Sequence, residues 1–346
     1  MGRFKFKAAV FLLCLFVTAS LSFAQPHTLK VSFLDVGQGE AALLWDPDFT
    51  ILIDAGDVGR TDVIAHLKSL GVAEIDLMIL THPHADHIGQ AAEVLKTFSV
   101  SEVWLPGFLH TTNLFENLID VLLASDAAYR EPRRGEIKTF GDLALEVLNP
   151  KEPLGSYMHD SCLVVRAVYK DIRFLFTGDI ERKTEREMEE EGLELQAEIL
   201  QVAHHGSATS SDIEFILAVE PKTAVYSAGA ENPFGHPHRE VVFRFQNLGI
   251  PLYGTDVHGS ITVSTDGKNY EVRTEKKGDL KKVFGVDLNS AGLEELQQII
   301  HIGPARAQEI IDLRPLKSIA CLAKVSGLGP KRIADIKKQG LAYVGE

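Results

Sequence analysis

A run of metal-binding side chains placed directly after a buried strand restricts this chain to few folds. Apolar residues 77–80 are followed at once by Thr81-His82-Pro83-His84-Ala85-Asp86-His87. Packing does not explain three imidazoles and a carboxylate within six residues, and these groups suit Zn, Mn or Fe. Because alternate residues face the same side, His82 and His84 can point to one position while Asp86 and His87 face a neighbouring one. The segment therefore predicts ligands for two metal ions.

Two later strand ends supply further candidate ligands. Residues 174–176 lead into Asp179, and residues 199–202 lead into His204-His205-Gly206. Two metals about 3.5–4 Å apart need a bridging oxygen and ligands from other parts of the fold. Asp179 alone would equally well cap a following helix, but the joint pattern predicts a bridging carboxylate. One of His204 and His205 is then the last ligand, and we favour His205 because it directly precedes Gly206.

Short apolar runs alternate with helical-length polar stretches between residues 29 and 270. The pattern predicts strands at 29–34, 50–53, 76–80, 143–148, 162–168 and 173–176, and helices at 61–69, 89–97, 113–124, 181–191, 211–218 and 239–248. Such interleaving predicts an α/β sandwich. Beyond a polar linker at 274–284, helical candidates at 290–300, 304–312, 318–324 and 330–339 predict a small all-α domain over residues 285–346.

The first 24 residues have the pattern of a signal peptide. Three basic residues precede an apolar run at 8–23, which ends in the small-x-small site Ser22-Phe23-Ala24. The run is shorter than the roughly 20 residues that span a bilayer, although an uncleaved anchor is the alternative. We therefore expect a secreted or periplasmic protein with no stable membrane span after cleavage. Cys162 and Cys321 lie in different segments and do not predict a disulfide framework.

The charge of the chain is distributed unevenly. The 346 residues carry 35 Lys and Arg against 48 Asp and Glu, a net charge of −13, which by itself argues against a polyanionic partner. Residues 280–346 nevertheless have a net charge of +3, and residues 25–279 have −19. A small basic domain thus follows a strongly acidic one.

A repeated turn in the basic domain predicts phosphate binding. His301-Ile302-Gly303-Pro304-Ala305-Arg306 and Gly327-Leu328-Gly329-Pro330-Lys331-Arg332 lie 26 residues apart. A Gly turn before a helix that begins with Pro leaves free backbone N–H groups, which bind phosphate oxygens. The predicted phosphate contacts are therefore Gly303, Arg306, Gly327, Gly329, Lys331 and Arg332.

The first of these motifs resembles the signature of the metallo-β-lactamase superfamily. His82, His84, Asp86 and His87 match its H-x-H-x-D-H pattern, Asp179 its later bridging Asp, and His204 or His205 its last His. Residues 34–41, 52–56, 204–207, 235–238 and 254–259 are similar to the extracellular hydrolase domain of the competence channel ComEC. The resemblance covers residues 29–270. It implies an αββα sandwich at 25–273 and two divalent ions, Zn or Mn, which activate water for hydrolysis, with Asp86 or Asp179 orienting the hydroxide.

The resemblance leaves some assignments open. The superfamily usually has a third His on the first metal, and here either His159 takes that role or Asp160 replaces it with a polar contact. Asp35 and Asp54 either cap turns or line the metal site from behind, and Asp54 is the better candidate. Two histidines on late loops, His236 and His258, are either phosphate or leaving-group contacts or ordinary loop residues.

The C-terminal segment resembles the tandem helix-hairpin-helix domain of the competence DNA receptor ComEA. The resemblance implies DNA-backbone contacts without sequence preference, although such domains also bind proteins. His301 stands where a Gly is usual, which weakens the first turn as a phosphate site.

The combined features favour a secreted metal-dependent nuclease or phosphodiesterase acting on extracellular or periplasmic DNA, with competence or uptake machinery as a possible partner. The alternatives are a hydrolase of a small ester, lactone or cell-wall phosphodiester, and a non-catalytic DNA-binding competence accessory.

Overall fold

A computed structural model describes residues 28–280 and 284–345. The predicted signal peptide at 1–24 lies outside these residues, as do 281–283 of the predicted linker. Within the described ranges, no helix is both long enough and apolar enough to cross a membrane.

Strands and helices interleave along the described chain. The strands are β1 (Leu29–Phe33), β2 (Ala42–Asp46), β3 (Phe49–Ile53), β4 (Glu74–Ile75), β5 (Leu77–Ile79), β6 (Ser99–Val100), β7 (Glu102–Trp104), β8 (Ala128–Arg130), β9 (Ile137–Phe140), β10 (Leu143–Asn149), β11 (Val164–Tyr169), β12 (Ile172–Phe176), β13 (Ile199–Gln201), β14 (Thr223–Tyr226), β15 (Leu252–Gly254), β16 (Ile261–Thr265), β17 (Tyr270–Thr274), β18 (Val286–Asp287) and β19 (Ala342–Tyr343). The helices are α1 (Asp62–Ser69), α2 (Ala85–Ile88), α3 (Ala91–Thr97), α4 (Asn113–Ala124), α5 (Arg182–Glu190), α6 (Ile213–Val219), α7 (Arg239–Asn247), α8 (Thr255–His258), α9 (Leu293–Leu296), α10 (Pro304–Asp312) and α11 (Pro330–Gln339). Three 3₁₀ turns cover Met158–Ser161, Ala203–Gly206 and Ile319–Lys324.

Two mixed sheets form the main body. One has the order β17-β16-β1-β2-β3-β5-β7-β8, and the other has the order β15-β14-β13-β12-β11-β10-β9. Successive side chains of a strand point to opposite faces, so Leu44 and Phe174 join the core between the sheets. Their neighbours pack outward: Leu43 lies with helices α1, α3 and α4, and Leu175 lies with α5, α6 and α7. These four layers confirm the αββα sandwich.

The C-terminal domain is helical and has its own core, which includes Leu296, Ile310, Leu322 and Ile336. Two predicted helices are wrong in extent or type. The helix expected at 290–300 is reduced to α9, because Gly292 caps it and the N–H of Ile299 bonds to the C=O of Leu296, a tighter 3₁₀-type bond. The helix expected at 318–324 is a 3₁₀ turn. The parallel pair β18–β19 joins the two ends of the domain.

Candidate metal centre

The loop that carries the first ligands is fastened to a neighbouring strand end. Asp54, directly after β3, accepts hydrogen bonds from the backbone N–H and the hydroxyl of Thr81, both at 2.7 Å. Residues 85–88 then form the short helix α2, and His84 is the residue before it. This turn presents the side chains of His82 and His84 on one side and those of Asp86 and His87 on the other.

A first group of candidate ligands consists of His82, His84, His159 and Asp179. The Nδ1 atom of His84 lies 2.9 Å from Nε2 of His82 and 3.3 Å from Nε2 of His159. His159 is buried on the turn at Met158–Ser161. Asp160 is used elsewhere, because its carboxylate accepts a hydrogen bond from Lys183 at 2.6 Å. Of the two alternatives, His159 is therefore the one that reaches the group.

A second group consists of Asp86, His87 and His205. Nε2 of His205 lies 3.3 Å from Nε2 of His87 and 3.2 Å from Oδ2 of Asp86. His204 belongs to a different group, with His159 and Glu181: its Nδ1 lies 3.7 Å from Oε1 of Glu181, and its Nε2 lies 3.6 Å from Oδ2 of Asp179. His205 rather than His204 thus completes the second group.

Asp179 lies between the two groups, in a turn beyond the end of β12. Its Oδ2 atom is 3.6 Å from Nε2 of His82, and its Oδ1 atom is 3.3 Å from Nε2 of His87 and 3.7 Å from Nε2 of His205. Oδ1 is buried and has no hydrogen-bond partner among the described residues. An unpaired buried carboxylate oxygen surrounded by ring nitrogens fits a bridging metal ligand, since each oxygen faces one group.

The Nδ1 atoms that face away from the candidate ligand groups determine the tautomer of each imidazole. Nδ1 of His87 lies 2.8 Å from the Asp54 carboxylate, and Nδ1 of His205 donates to the C=O of Ser227 at 2.9 Å. A carbonyl oxygen only accepts, so the proton of a neutral His205 is on Nδ1 and its Nε2 lone pair faces inward. The same tautomer of His87 is favoured by Asp54.

Burial and mutual charge shift the pKa values of the candidate ligands in both directions. Although burial opposes the shift, Asp179 and Asp54 raise the pKa of His87 well above its ordinary value, and Asp179 and Asp86 raise the pKa of His205 to about 9, so a metal ion displaces a proton from these two rings. Burial lowers the pKa of His82 well below its ordinary value, and burial together with His159 lowers the pKa of His84 to about 4. Both rings are therefore neutral near pH 7. Although burial opposes ionisation of Asp179, the imidazoles of His87, His205 and His82 keep the pKa of this carboxyl well below its ordinary value.

Backbone conformation separates the two neighbouring histidines. His204 has φ 52° and His205 has φ 56°, both in the left-handed region, and Gly206 follows with φ 80°. Non-glycine residues rarely adopt this conformation, which costs about 1–3 kcal/mol each and clusters at functional sites. Two such residues in succession turn the rings apart. The sequence does not reveal this strain.

The centre opens on a cavity of about 330 Å³. It is lined by Gln38, His84, Ala85, Asp86, Asp179, His204, His205, Phe234 and His236. His236, predicted as a substrate contact, thus lies at the cavity. Gln38 and Phe234 were not among the predicted residues, although Gln38 belongs to the segment 34–41.

Glu40 is a further residue that sequence reasoning did not assign. Its buried carboxylate lies in a group with Asp54 and His87, and burial raises its pKa to about 8. The only signal in the sequence is its place after Gly39 in the same segment 34–41.

The structure corrects two of the predicted supporting residues. Asp35 forms an ion pair with Lys276 at 2.9 Å, and its N–H bonds to Ser260, so it secures the chain after β17. His258 is buried in its own turn, where Nδ1 lies 3.1 Å from the C=O of Gly254. Asp35 is therefore paired with a distant segment and His258 with its own turn, whereas Asp54 contacts a predicted ligand.

The two hairpins expose their glycine turns, but their arginines donate hydrogen bonds to the turns themselves. Gly303 and Gly329 precede α10 and α11, are exposed and have open space at the Cβ position. Arg306 donates to the C=O groups of His301 and Ser326, and Arg332 donates to that of Gly327. These arginines thus brace the turns, and Lys331 remains as an exposed cation.

The first hairpin turn keeps the conformation of the second despite its histidine. His301 has φ 67°, close to φ 73° for Gly327 at the equivalent position. Its Nε2 lies 2.9 Å from Oδ2 of Asp335 on α11. The side chain therefore links the first turn to the second hairpin.

Comparison with known proteins extends these observations. The model of the Metallo-beta-lactamase superfamily matches residues 34–230, and the Helix-hairpin-helix motif matches residues 281–339. ComE operon protein 3 of Bacillus subtilis (strain 168) is 31% identical over 251 residues, which are 67% of this chain and 32% of that protein. Competence protein ComA of Neisseria gonorrhoeae is 28% identical over 258 residues, 73% of this chain and 35% of that protein.

A shorter similarity links the chain to a Deoxyribonuclease of Thioalkalivibrio sp. (strain K90mix), with 41% identity over 59 residues, 17% of this chain and 16% of that protein. The chain spans about a third of the length of the two longer relatives. The family match covers more than half of the chain and includes most of the residues that converge around Asp179. The chain therefore belongs to the metallo-beta-lactamase superfamily and carries a helix-hairpin-helix domain after its αββα sandwich.

Proposed function

We propose that this protein is a metal-dependent phosphodiesterase, and specifically a nuclease, acting on DNA bound by its C-terminal hairpins. The observation that carries the proposal is the pair of ligand groups on either side of Asp179, which open on one cavity in a chain that also has two hairpins. The similarity to a deoxyribonuclease and to a competence protein supports DNA as the substrate.

The chemistry requires two divalent cations, Zn or Mn, which when bound lower the pKa of a water molecule and neutralise charge on the phosphate. His82, His84 and His159 would bind one ion, Asp86, His87 and His205 the other, and Asp179 both. The carboxylate of Asp86 borders the cavity and is 26% exposed. It can orient the attacking water toward phosphorus, as can Asp179. His236 borders the same cavity as a candidate phosphate contact.

The basic hairpin domain offsets the repulsion between the acidic hydrolase region and a polyanionic substrate. The hydrolase region has a net charge of −19 and repels a polyanion, whereas residues 280–346 have +3. Free N–H groups beside Gly303 and Gly329, together with Lys331, bind backbone phosphates without reading bases. We propose that this domain retains DNA near the cavity.

The setting we propose is extracellular or periplasmic, with competence or DNA-uptake machinery as the partner. The signal-peptide pattern at 1–24 and the similarity to a competence protein support it. Fractionation of cells that produce the full chain with a C-terminal tag tests the location. Recovery from the cytoplasm alone would contradict it.

The decisive experiment compares substrates on the full chain, stripped of metal and then reloaded with Mn or Zn. Single- and double-stranded DNA, a chromogenic phosphodiester, an ester and a lactone are each incubated with the wild type and with an Asp86→Ala, His87→Ala control. We expect metal-dependent cleavage of DNA that the control lacks. Hydrolysis of the ester or lactone without DNA cleavage would refute the nuclease, and no hydrolysis at all would favour a DNA-binding accessory.

A second comparison tests the role of the hairpins. Lys331→Glu replaces an exposed cation at the start of α11 and should lower kcat/KM for long DNA more than for the chromogenic phosphodiester. Lys222→Glu is the matched control, because Lys222 is an exposed cation outside the hairpins that pairs with Glu198 at 3.4 Å. Equal losses on both substrates would contradict a tethering role.

A further inference from the structure

An exposed aromatic side chain stands at the mouth of the cavity. Phe234 is 60% exposed and lines the same cavity as His84, Asp86 and Asp179. An apolar ring in contact with water costs free energy unless it packs against a ligand. A ring among ionisable side chains is not needed for binding phosphate, which uses charge and hydrogen bonds. Phe234 therefore points to an apolar or aromatic part of the substrate.

The loop that carries Phe234 is held by its own side chain. The amide of Asn232 donates to the C=O groups of Gly229 and His236 at 2.9 and 2.6 Å, and its oxygen accepts from the N–H groups of Phe234 and His236. Gly235, with φ 72°, allows the tight turn between the two rings. Phe234 is thus exposed on an ordered loop, so little conformational entropy is lost when a ligand binds.

The same loop is attached to the ligand loop. His238 donates its N–H to the C=O of Gly206 at 2.9 Å, and its Nδ1 accepts from the N–H of Ala208 at 2.9 Å. These bonds place Phe234 at a defined distance from the neighbouring ligand His205.

Three rings form a stack from the metal centre to the surface. His236 is nearly parallel to His205, with centroids 6.1 Å apart and an interplanar angle of 21°. Phe234 in turn stacks on His236 at 5.7 Å and 24°. One face of Phe234 is therefore covered by His236, and its large exposed fraction is available on the other side to a further planar ring.

We propose that Phe234 stacks on the nucleobase next to the phosphate that is cleaved, so that the substrate is a nucleic-acid strand with an unpaired base at that position. The proposal rests on the proposed nuclease function and names its substrate class. In an intact duplex both faces of a base are covered by neighbouring bases, so Phe234 reaches only a single strand, a frayed end or a displaced base. Base stacking on an aromatic ring is tolerant of sequence, which agrees with hairpins that contact only backbone.

Photo-crosslinking tests the contact without depending on turnover. A single-stranded oligonucleotide with one 5-iodouridine is irradiated with the metal-stripped full chain, and the crosslinked peptide is identified by mass spectrometry. We expect the crosslink on Phe234, and its loss in Phe234→Leu. Crosslinks confined to the hairpin domain would overturn the proposal.

Kinetics test whether the contact contributes to specificity. The reloaded wild type is given matched single strands with either a base or an abasic site next to the scissile phosphate. We expect kcat/KM to be about tenfold higher with the base, and the ratio to approach one in Phe234→Leu. Phe284→Leu is the control, because Phe284 is 65% exposed but does not line the cavity, and it should keep the wild-type ratio. An unchanged ratio in Phe234→Leu would overturn the stacking role.

The two proposals fail in different ways. If the wild type crosslinks at Phe234 but cuts no nucleic acid, stacking holds and the nuclease function is wrong. If the wild type cuts DNA with the same base-to-abasic ratio in both proteins, the nuclease function holds and the stacking role is wrong.

Discussion

Single carboxylates decide how the imidazoles of the centre are presented. Asp54 is fully buried and has φ 58°, and it contacts both Thr81 and His87. One side chain therefore fixes the start of the ligand loop and the tautomer of a ligand. Partners of this kind contribute to metal affinity although they do not touch the metal.

Asp54→Asn tests this role against a matched aspartate. The Asn side chain has one oxygen, so it can accept only one of the two hydrogen bonds that Thr81 donates. It also lacks the negative charge that orients the ring of His87. We expect metal affinity to fall by about 10–100-fold, measured by competition with a chelating dye. Asp35→Asn is the control, because Asp35 pairs with Lys276. Equal effects of the two substitutions would contradict the assignment.

The neighbouring histidines can be separated by metal content. His205→Ala removes a ring whose Nε2 faces Asp86 and His87, so we expect loss of about one metal ion per chain by elemental analysis. His204→Ala should retain the metal, because His204 lies in neither of the two ligand groups on either side of Asp179: its Nε2 is 3.6 Å from Asp179, and its Nδ1 faces Glu181 and Thr209. The opposite result would reverse the assignment made from their distances.

Among the secondary-structure elements, the packing of α5 on α6 depends on one buried acid. Glu185 of α5 accepts hydrogen bonds from the N–H groups of Ser211 and Asp212, at 2.5 and 3.0 Å, immediately before α6. Nearby, Asp212 pairs with Arg182 at 3.1 Å. Burial raises the pKa of Glu185 to about 8, although the two N–H groups oppose the shift.

The raised pKa predicts a pH-dependent stability. The folded chain retains a proton on Glu185 that the unfolded chain releases near pH 4.5, so the stabilisation is complete below that pH and is lost as the pH rises to about 8. The slope is at most about 1.4 kcal/mol per pH unit. Urea unfolding of wild type and Glu185→Gln across this range should show a difference that changes with pH. A constant difference would mean that Glu185 is ionised throughout.

At the level of the whole molecule, one buried arginine joins the two domains. Arg244 of α7 is only 2% exposed. Its guanidinium donates to the C=O groups of Ser210 and Ser211, beyond the ligand loop, and to those of Lys338 and Gln339 at the end of α11. The last carbonyls of a helix carry partial negative charge and favour a cation. The hairpin domain is thereby attached close to the segment that carries His205.

Arg244→Met should loosen this attachment. The loss of hydrogen bonds from a charged, buried group should lower the free energy of unfolding by about 1.5–3 kcal/mol and speed hydrogen exchange in α11. Arg239→Met is the control, because Arg239 is exposed and, among the described residues, donates to the C=O of Phe284 and not to α11. Unchanged exchange in α11 of the Arg244 variant would show that other contacts hold the domain.

The short-range part of this molecule can be predicted from its residues. The spacing of His82, His84, Asp86 and His87 and the Gly-Pro turns act within one or two turns of chain, so they indicate ligands and helix starts directly. The apolar alternation likewise predicts the four layers, because the two faces of each strand pack on different partners. Helix lengths in the C-terminal domain were less predictable, since a Gly cap at its start and a 3₁₀-type bond after its end limited α9.

Packing between distant segments determines which partners these residues contact. Asp35 and Asp54 have the same local pattern, yet one pairs with Lys276 and the other with His87. His204 and His205 are adjacent, have left-handed backbone and lie 3.6 and 3.7 Å from Asp179, yet one ring also faces Glu181 and the other Asp86. Which carboxylate meets which ring is set by contacts between segments far apart in the chain, because a few kilocalories of packing outweigh any local preference.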